Sequence, residues 1–379
     1  MGYIMNEDQK GLVSMVKHLC EKELLPVVAE CDEKNLSPDA FIAEGIEMGL
    51  AMMDVPAEYG GMGLDDLTTQ MMVQEMCRYD VATAGNFTVT AMCVKVALII
   101  GTEEQKQRVS RLAADGNILA FCLTESTGGS DSVNMRTTAV RDGDNYVLNG
   151  SKCFISNAST AGGFIVMAVT DKSKKAKGIS CFLIERGTPG LIIGKAEDKL
   201  GLRTSHTHEI VFENCVVPAA NRLGDEGLGF IGAMKALDAG RISAASMGIG
   251  LAQRALEEAV RYAKQRIVFG QPIAEFQAIS FMLADMDAAI ESCRALLKHV
   301  VELREQGLPW TKQASMLKML STDTAMKVAV DAVQIFGGYG ACKEYPVEKL
   351  MRDAKILQIV EGSNQIQRGI IAKNLLKEY

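Results

Sequence analysis

Residues 137–155, TTAVRDGDNYVLNGSKCFI, decide the fold class because short β-prone runs alternate there with the dipeptides Asp142-Gly143 and Asn149-Gly150. Both dipeptides favour tight turns between antiparallel strands. Other short extended runs lie on either side, at residues 118–123, 164–170, 179–184 and 209–212. Strands joined by short turns predict an antiparallel sandwich or barrel in the middle of the chain.

Helical periodicity precedes these strands. Leu12, Val16 and Leu19 would lie on one face of a first helix. Three later helices carry N-terminal capping signals: Ser37 before Pro38, Asp65, and Thr102 with Gln105 in a capping box. This part of the chain is therefore predicted to be an all-helical unit.

Helical periodicity returns after Pro218, at about residues 229–264, 275–306, 311–335 and 363–377. The first of these segments is rich in Ala, Gly, Ser and Met, which indicates that several of its faces are buried. Long helices joined by short loops predict a bundle. The prediction is an α+β protein, mainly α, with a helical domain at 1–118, a strand domain at 119–225 and a helical bundle at 226–379.

Composition excludes several classes of function. The 379 residues carry a net charge of -7, which argues against nucleic acid or an anionic membrane as a partner. The ten cysteines form no C-x-x-C pair, and His206 and His208 have no third ligand at a suitable spacing, so no metal site is expected. The N-terminus shows no targeting pattern and no apolar run long enough to span a bilayer, so we expect a cytoplasmic protein with reduced thiols.

Glu361 is the strongest catalytic candidate. It interrupts the otherwise apolar or small segment Ile359–Asn364. Desolvation by Ile359 and Val360 would raise the pKa of its carboxyl, and Gly362 would allow close approach of backbone and ligand. The alternative is a solvated glutamate at the start of a helix, with Ser363 or Asn364 as N-cap.

Three further patterns each have two interpretations. The loop at 124–131 could hold a ring edge or a phosphate, or could be an ordinary turn. Asp238 and Arg241 could serve a site, or could form an ion pair within a helix. The segment 227–232 matches G-x-G-x-x-G, but it lacks a preceding strand in a βαβ unit and follows Asp225 and Glu226, so we reject it as a dinucleotide fingerprint.

Taken together, these segments resemble the acyl-CoA dehydrogenase family in order along the whole chain. The segments that carry the resemblance are Leu123-Thr124-Glu125, Gly129-Ser130-Asp131, Asn149-Gly150-Ser151-Lys152, Ile155-Ser156-Asn157, Leu237-Asp238 with Arg241, Gln265-Arg266 with Phe269-Gly270, Gln334 to Gly340, and Glu361-Gly362. The family fold has a helical domain, a middle antiparallel β-barrel domain and a C-terminal four-helix bundle, in agreement with the three predicted domains.

The resemblance implies an FAD enzyme that interconverts an acyl-CoA and its trans-2-enoyl-CoA. Glu361 would take the α-proton while the β-hydrogen passes as hydride to the flavin, and the backbone N–H of Glu361 with a flavin ribityl hydroxyl would bind the thioester carbonyl oxygen. Electrons would be exchanged with an electron-transferring flavoprotein. Some anaerobic relatives work as enoyl-CoA reductases with a bifurcating form of that partner.

The resemblance also implies the binding residues. Those expected near the flavin ring are Phe121, Leu123, Thr124, Gly129, Ser130, Phe154, Ile155, Ser156, Ser363 and Gln365. Those expected to reach the pyrophosphate and adenosine of a neighbouring subunit's FAD, in a homotetramer built as a dimer of dimers, are Arg266, Phe269, Phe276, Gln277, Gln334, Gly337 and Gly338. Those that match substrate-binding positions are Ser130, Asp238, Arg241, Val360 and Gly362.

Two residues depart from the family pattern. Ser126 stands where proline is common, which predicts a less rigid loop. Val360 stands where tyrosine is common, which predicts a wider acyl cavity for a bulky or aryl group, for example an arylacrylyl-CoA such as caffeoyl-CoA. A short linear acyl chain remains open if another side chain fills the gap. The same pattern is also compatible with an oxidase that passes electrons to oxygen, or with a non-catalytic scaffold on this fold, although Glu361 and the flavin segments count against the scaffold.

Overall fold

The computed structural model describes residues 2–379; Met1, the first residue of the predicted helical domain, lies outside the described residues. The chain begins with six α-helices, and a π-helical turn at Cys20–Leu24 extends the first of them. The helices are α1 Glu7–Leu19, α2 Val28–Lys34, α3 Asp39–Glu47, α4 Asp66–Cys77, α5 Val81–Ile100 and α6 Glu103–Ala114.

Side-chain caps fix two of these helix starts as predicted. Asp65 accepts a hydrogen bond from the Thr68 N–H at 2.8 Å, and Thr102 and Gln105 form both bonds of a capping box. The predicted cap at Ser37 is wrong, because α3 begins after Pro38 with no side-chain cap.

Helix α5 was not among the predicted elements. By length and composition it could cross a membrane, contrary to the expectation that no segment would pass that test. Twelve of its residues are buried, and it packs against α7 and the first strand. Its apolar character therefore has an explanation inside the fold, since it is a core helix.

Eight strands form one sheet in the middle of the chain. They are β1 Leu119–Cys122, β2 Thr138–Asp142, β3 Asn145–Ser156, β4 Gly163–Val169, β5 Ile179–Glu185, β6 Leu191–Ala196, β7 Thr207–Pro218 and β8 Arg222–Leu223. The order is β6-β7-β3-β2-β4-β5-β8, with β1 paired to β4. Most pairs are antiparallel as predicted, whereas β1 runs parallel to β4 and β2 meets β4 in parallel at one residue pair. Strand β6 was not predicted.

The two dipeptides that defined the sheet region behave differently. Asp142 pairs with Asn145 across a tight turn in which Gly143 has φ 57°, so this turn prediction is confirmed. The turn predicted at Asn149-Gly150 is wrong, because β3 continues through it. Its register against β7 shifts between Leu148 and Gly150, where Gly150 has φ 141°, so the dipeptide forms a β-bulge instead.

Helices return after the sheet, and their order confirms the predicted bundle. They are α7 Gly229–Gln265, α8 Gln277–Glu305, α9 Thr311–Phe336, α10 Val347–Leu357 and α11 Asn364–Glu378, with a small hairpin of β9 Ile267–Val268 and β10 Gln271–Pro272 after α7. Helix α7 packs on α9, α5 and α4, which explains its many small buried residues. The short helix α10 was not predicted.

The rejected glycine motif has a packing role. A Cβ on Gly229, the first residue of α7, would lie 2.4 Å from the carbonyl carbon of Ser180 in β5. A Cβ on Gly232 would lie 3.0 Å from the Ile100 side chain at the end of α5. These glycines let the start of α7 lie close to the sheet and to α5.

Candidate active site

Glu361 lies in the turn between α10 and α11, with its carboxylate against two helices from other parts of the chain. A Cβ built on Gly240 of α7 would lie 2.9 Å from Glu361 Oε2 and 3.4 Å from Met92 Sδ of α5. Glu361 Oε2 is buried and has no hydrogen-bond partner among the described residues. The absence of a side chain at Gly240 therefore makes room for the carboxylate.

Burial raises the pKa of the Glu361 carboxyl above its ordinary value, although Lys318 and Arg241 oppose the shift through their positive charges. The predicted direction agrees with this result. The predicted cause is only partly right, because Ile359 is 54% exposed. Gly240 of α7 lies against the carboxylate, and the solvated-glutamate interpretation does not fit a buried Oε2.

The backbone of the turn is unusual at two successive residues. Glu361 has φ 54° and Gly362 has φ 86°, both in the left-handed region. Gln367 Nε2 donates to Glu361 O at 3.1 Å and to Gly362 O at 3.0 Å, and Lys318 Nζ donates to Gly362 O at 3.0 Å. Both carbonyl groups of the turn are thus held by buried side chains.

The backbone N–H of Glu361 has no hydrogen-bond partner in the described part of the fold. Within residues 2–379, no backbone or side-chain acceptor takes a hydrogen bond from it. A free N–H beside a buried carboxylate gives one residue both a donor for an oxyanion and an acceptor for a proton.

Asp238 and Arg241 form an ion pair on α7 next to this turn. Thr311 Oγ1 donates to Asp238 Oδ2 at 3.1 Å, and burial raises the pKa of Asp238. Arg241 is buried, its Nε has no partner among the described residues, and its charge acts on Glu361. The intrahelical ion-pair interpretation is correct as geometry, and the same pair faces the candidate base.

A buried ion pair supports the segment predicted to lie near the flavin ring. Lys152 Nζ donates to Glu125 Oε1 at 2.8 Å and to Leu123 O at 3.1 Å, and Glu125 also accepts from the N–H of Arg136 and Thr137. Burial raises the pKa of Glu125, but these partners outweigh it and the pKa falls below its ordinary value. The loop after β1 is therefore anchored to β3.

The side chains of this segment face two ways. Phe154, with φ 57°, is 65% exposed, and Gly129 and Ser130 are exposed in the loop. Leu123 and Ile155 are buried, so any contact they make with a cofactor is through the backbone. Phe121, Thr124 and Ser156 are partly exposed.

A second cluster surrounds a cavity of about 440 Å³ between the end of α7 and the end of α9. Three of its lining residues are the predicted Arg266, Gly337 and Gly338. Arg266 lies over the Tyr339 ring at 5.6 Å, and nothing lies within 4 Å of a Cβ built on Gly337 or Gly338. Guanidinium, accessible backbone and aromatic surface fit the pyrophosphate and ring of a dinucleotide such as FAD.

The remaining predicted cofactor residues lie at the surface near helix starts and ends. Phe269, in the β9–β10 turn, is 92% exposed, and its ring meets the edge of Phe276 with centroids 6.2 Å apart. Gln277, Gln334 and Gln365 are exposed. Ser363 is the N-cap of α11 and accepts from the Ile366 N–H at 3.5 Å. Contacts for these residues would have to come from a bound ligand or another molecule.

The structure thus brings Glu361, Gly362, Asp238 and Arg241 together and places Arg266, Gly337 and Gly338 in a separate cluster. Sequence reasoning missed Met92, Gly240, Lys318 and Gln367, and it gave Lys152 and Glu125 no role of their own. One signal was present for Lys318: it follows Ala314 by four residues, which puts a charge on the buried face of α9.

Comparison with known proteins covers the whole chain. Residues 6–117, 120–215 and 227–376 match the N-terminal, middle and C-terminal domains of acyl-CoA dehydrogenase, respectively. A short-chain specific acyl-CoA dehydrogenase of Clostridium acetobutylicum is 42% identical, with 100% of each chain covered. An acryloyl-CoA reductase (NADH) of Anaerotignum propionicum is 40% identical over 100% of this chain and 96% of its own.

A solved structure agrees with this assignment. It comes from work on the electron transferring flavoprotein of Acidaminococcus fermentans and flavin-based electron bifurcation, and it matches with a TM-score of 0.96. The identity is 44%, over 99% of this chain and 100% of the other. The chain therefore belongs to the acyl-CoA dehydrogenase family, FAD-dependent oxidoreductases that act on CH–CH bonds.

Proposed function

We propose that this protein interconverts a short-chain acyl-CoA and its trans-2-enoyl-CoA, with Glu361 as the base that removes the α-proton. The observation that carries the proposal is the buried, unpartnered Oε2 of Glu361 in the same residue as a free backbone N–H. A carboxyl whose pKa is raised by burial is matched to a weakly acidic carbon acid better than a solvated one.

The thioester carbonyl acidifies the α-hydrogen, and in this proposal the Glu361 N–H donates to the carbonyl oxygen as negative charge develops there. The Glu361 carboxylate then receives the α-proton. FAD, when bound, supplies the acceptor for the β-hydrogen and its electron pair. Arg241 keeps positive charge beside the carboxylate, and the close approach of Gly240 leaves no room for water on that side of it.

The proposal leaves two candidates for the acyl group of the substrate. The Clostridium acetobutylicum relative, which is named as short-chain specific, supports a short linear chain. Val360, which is partly buried against the core, supports the second candidate, a bulky or aryl acyl group such as an arylacrylyl-CoA. The two candidates share the chemistry at Glu361 and differ in the volume beside the reacting carbons.

Electron exchange with an electron-transferring flavoprotein is also proposed. The Acidaminococcus fermentans work supports a bifurcating partner, and the acryloyl-CoA reductase relative supports operation as a 2-enoyl-CoA reductase. The measurement is anaerobic NADH oxidation with crotonyl-CoA and a low-potential one-electron acceptor such as ferredoxin, with and without a bifurcating flavoprotein. Reduction that needs the added flavoprotein supports this direction, whereas peroxide formation with acyl-CoA in air would support an oxidase.

A cytoplasmic homotetramer, built as a dimer of dimers, completes the proposal. The exposed Phe269 and the exposed Leu376 of α11 support further subunit contacts. Native mass spectrometry of the FAD-loaded protein gives the subunit number directly, and a monomer at micromolar concentration would reject the assembly.

The decisive experiment for the reaction is anaerobic titration of the yellow holoenzyme with butyryl-, octanoyl- and phenylpropanoyl-CoA, and of its reduced form with the matching enoyl-CoA thioesters. Bleaching or reoxidation of the flavin reports chemistry and preference together. Val360→Tyr is the matched variant, since it should reject the aryl thioester while keeping butyryl-CoA. A flavin that responds to none of these thioesters would overturn the proposed reaction.

A further inference from the structure

Lys318 is a charged side chain on α9 with 0% exposure, and it lies behind the turn between α10 and α11 that carries Glu361. Its Nζ donates to Gly362 O at 3.0 Å and to Asn364 Oδ1 at 2.9 Å. Thr322, one helical turn later, donates to the same Asn364 oxygen at 3.2 Å. Because a buried ammonium is costly unless it is bound, its placement calls for a reason beyond packing.

The bonds from Lys318 act on the part of the turn that is hardest to hold. Glu361 is a non-glycine residue in the left-handed region and is followed by Gly362 in the same region. Such a conformation persists only where surrounding groups fix it. Lys318 and Gln367 both donate to Gly362 O, so they fix the carbonyl group of the residue that follows the candidate base.

The charge of Lys318 acts on the same residue. Burial lowers the pKa of Lys318 to about 8, while the charge of Glu361 opposes that change. In return, the ammonium favours the ionised form of Glu361 against its burial. The other charged or titratable groups that face this pair are Arg241 with its partner Asp238 on α7, Asp323 on α9 with its partner Arg368 on α11, and Cys93 on α5.

We propose that Lys318 is a positioning residue for the base: its ammonium fixes the turn that carries Glu361 and places a positive charge beside the Glu361 carboxylate. This inference rests on the proposed function of Glu361. It assigns to α9 an indirect part in proton abstraction, since Lys318 acts through Glu361 and touches neither the substrate nor the reacting atoms.

The test compares Lys318→Met and Lys318→Arg in the FAD-loaded enzyme, with Lys327→Met as control because Lys327 is an exposed residue of the same helix that pairs with Asp331. Flavin reduction by the best acyl-CoA is followed anaerobically across pH. We expect Lys318→Met to reduce about 10- to 100-fold more slowly near neutral pH. Its rate should rise with pH through a midpoint above that of the wild type, because the charge that favours ionised Glu361 is lost. Lys318→Arg should restore the midpoint.

A rate that falls equally at all pH values, with an unshifted midpoint, would indicate a merely structural lysine and would overturn the inference. If Lys318→Met does not fold, Lys318→Gln, which keeps a donor but no charge, carries the same test. Hydrogen exchange of residues 358–367 needs no substrate. Protection there should fall in Lys318→Met and not in Lys327→Met, and unchanged protection in Lys318→Met would overturn the holding role even if the wild type reduced no thioester.

Discussion

The turn at residues 359–367, which carries Glu361, and the cavity between the ends of α7 and α9 are built in opposite ways. In the turn, the carbonyl groups of Glu361 and Gly362, the two residues in the left-handed region, receive hydrogen bonds from buried side chains of the same chain. At the cavity, Arg266, Gly337 and Gly338 are exposed, and the ring of Phe269 in the β9–β10 turn is 92% exposed. The turn thus has its carbonyl groups hydrogen-bonded within the chain, whereas these residues at the cavity are exposed to solvent.

The difference indicates where each region obtains its order. Proton abstraction needs a base held within a fraction of an ångström before the substrate arrives, so its supports are intramolecular. Under our proposal the cavity can remain open because a bound dinucleotide and a second subunit would cover its rings and bind its guanidinium. Variants in the two regions should therefore fail differently.

The largest effect is expected at the base. Glu361→Gln keeps the size of the side chain but cannot accept the α-proton, so flavin reduction by acyl-CoA should slow by about 10²- to 10⁴-fold. FAD content, measured from the visible spectrum, should equal that of the wild type because the cavity is untouched. A variant that is reduced at the wild-type rate would show that the base lies elsewhere.

The opposite failure is expected at the cavity. Arg266→Ala removes the guanidinium over Tyr339 and should weaken FAD binding by about 10- to 100-fold, the loss of a charge-assisted hydrogen bond. Fluorescence titration of the apoprotein with FAD measures this loss. At saturating FAD the reduction rate should approach that of the wild type. A rate that stays low when the site is full would contradict the separation of the two regions.

A smaller effect is expected from the support of the turn. Gln367→Ala leaves Glu361 O without its donor, which should cost about 1–3 kcal/mol of unfolding free energy. Reduction should also slow, but less than in Glu361→Gln, because Lys318 still holds Gly362 O. Urea denaturation and stopped-flow reduction measure the two effects, with Lys373→Ala on the exposed face of α11 as control. A free energy of unfolding equal to that of the wild type would show that the hydrogen bond from Gln367 does not stabilise the turn.

Local rules explain which parts of the fold could be predicted from sequence. The caps at Asp65 and Thr102 involve residues three apart, so the signal and the structure share one short segment. Asn149-Gly150 obeys the same kind of rule but forms a bulge, because the outcome depends on β7, where the Asn214 N–H donates to Asn149 Oδ1. A dipeptide cannot specify which strand pairs beside it.

The sequence predicted which residue would be the candidate base better than it predicted the residues that surround it. The pattern around Glu361 identified a candidate base and the direction of its pKa, yet Gly240, which makes room for its carboxylate, lies on a helix far away in sequence. Lys318 could be recognised as a charge on a buried helix face, but only tertiary contacts reveal that it binds Gly362 O. The conformation of this turn therefore depends on contacts that form only when the helices of the bundle pack together.

The smallest effect is a difference in stability that depends on pH. Since burial raises the folded-state pKa of Glu361, the unfolded chain releases this proton at lower pH than the folded protein does. The stability contributed by protonated Glu361 is complete below the unfolded pKa and is lost as pH rises through the folded one. Glu361→Gln has no such loss, so it should unfold at a higher temperature than the wild type near neutral pH. The advantage should disappear below about pH 4, where the carboxyl is protonated in both states.

Thermal unfolding of Glu361→Gln and the wild type across pH measures this difference in stability, and Arg266→Ala, at the solvent-exposed cavity, should show no matching trend. A constant offset between Glu361→Gln and wild type at every pH would mean that the carboxylate is solvated, and the contrast between a closed turn and an open cavity would then fail at its central residue.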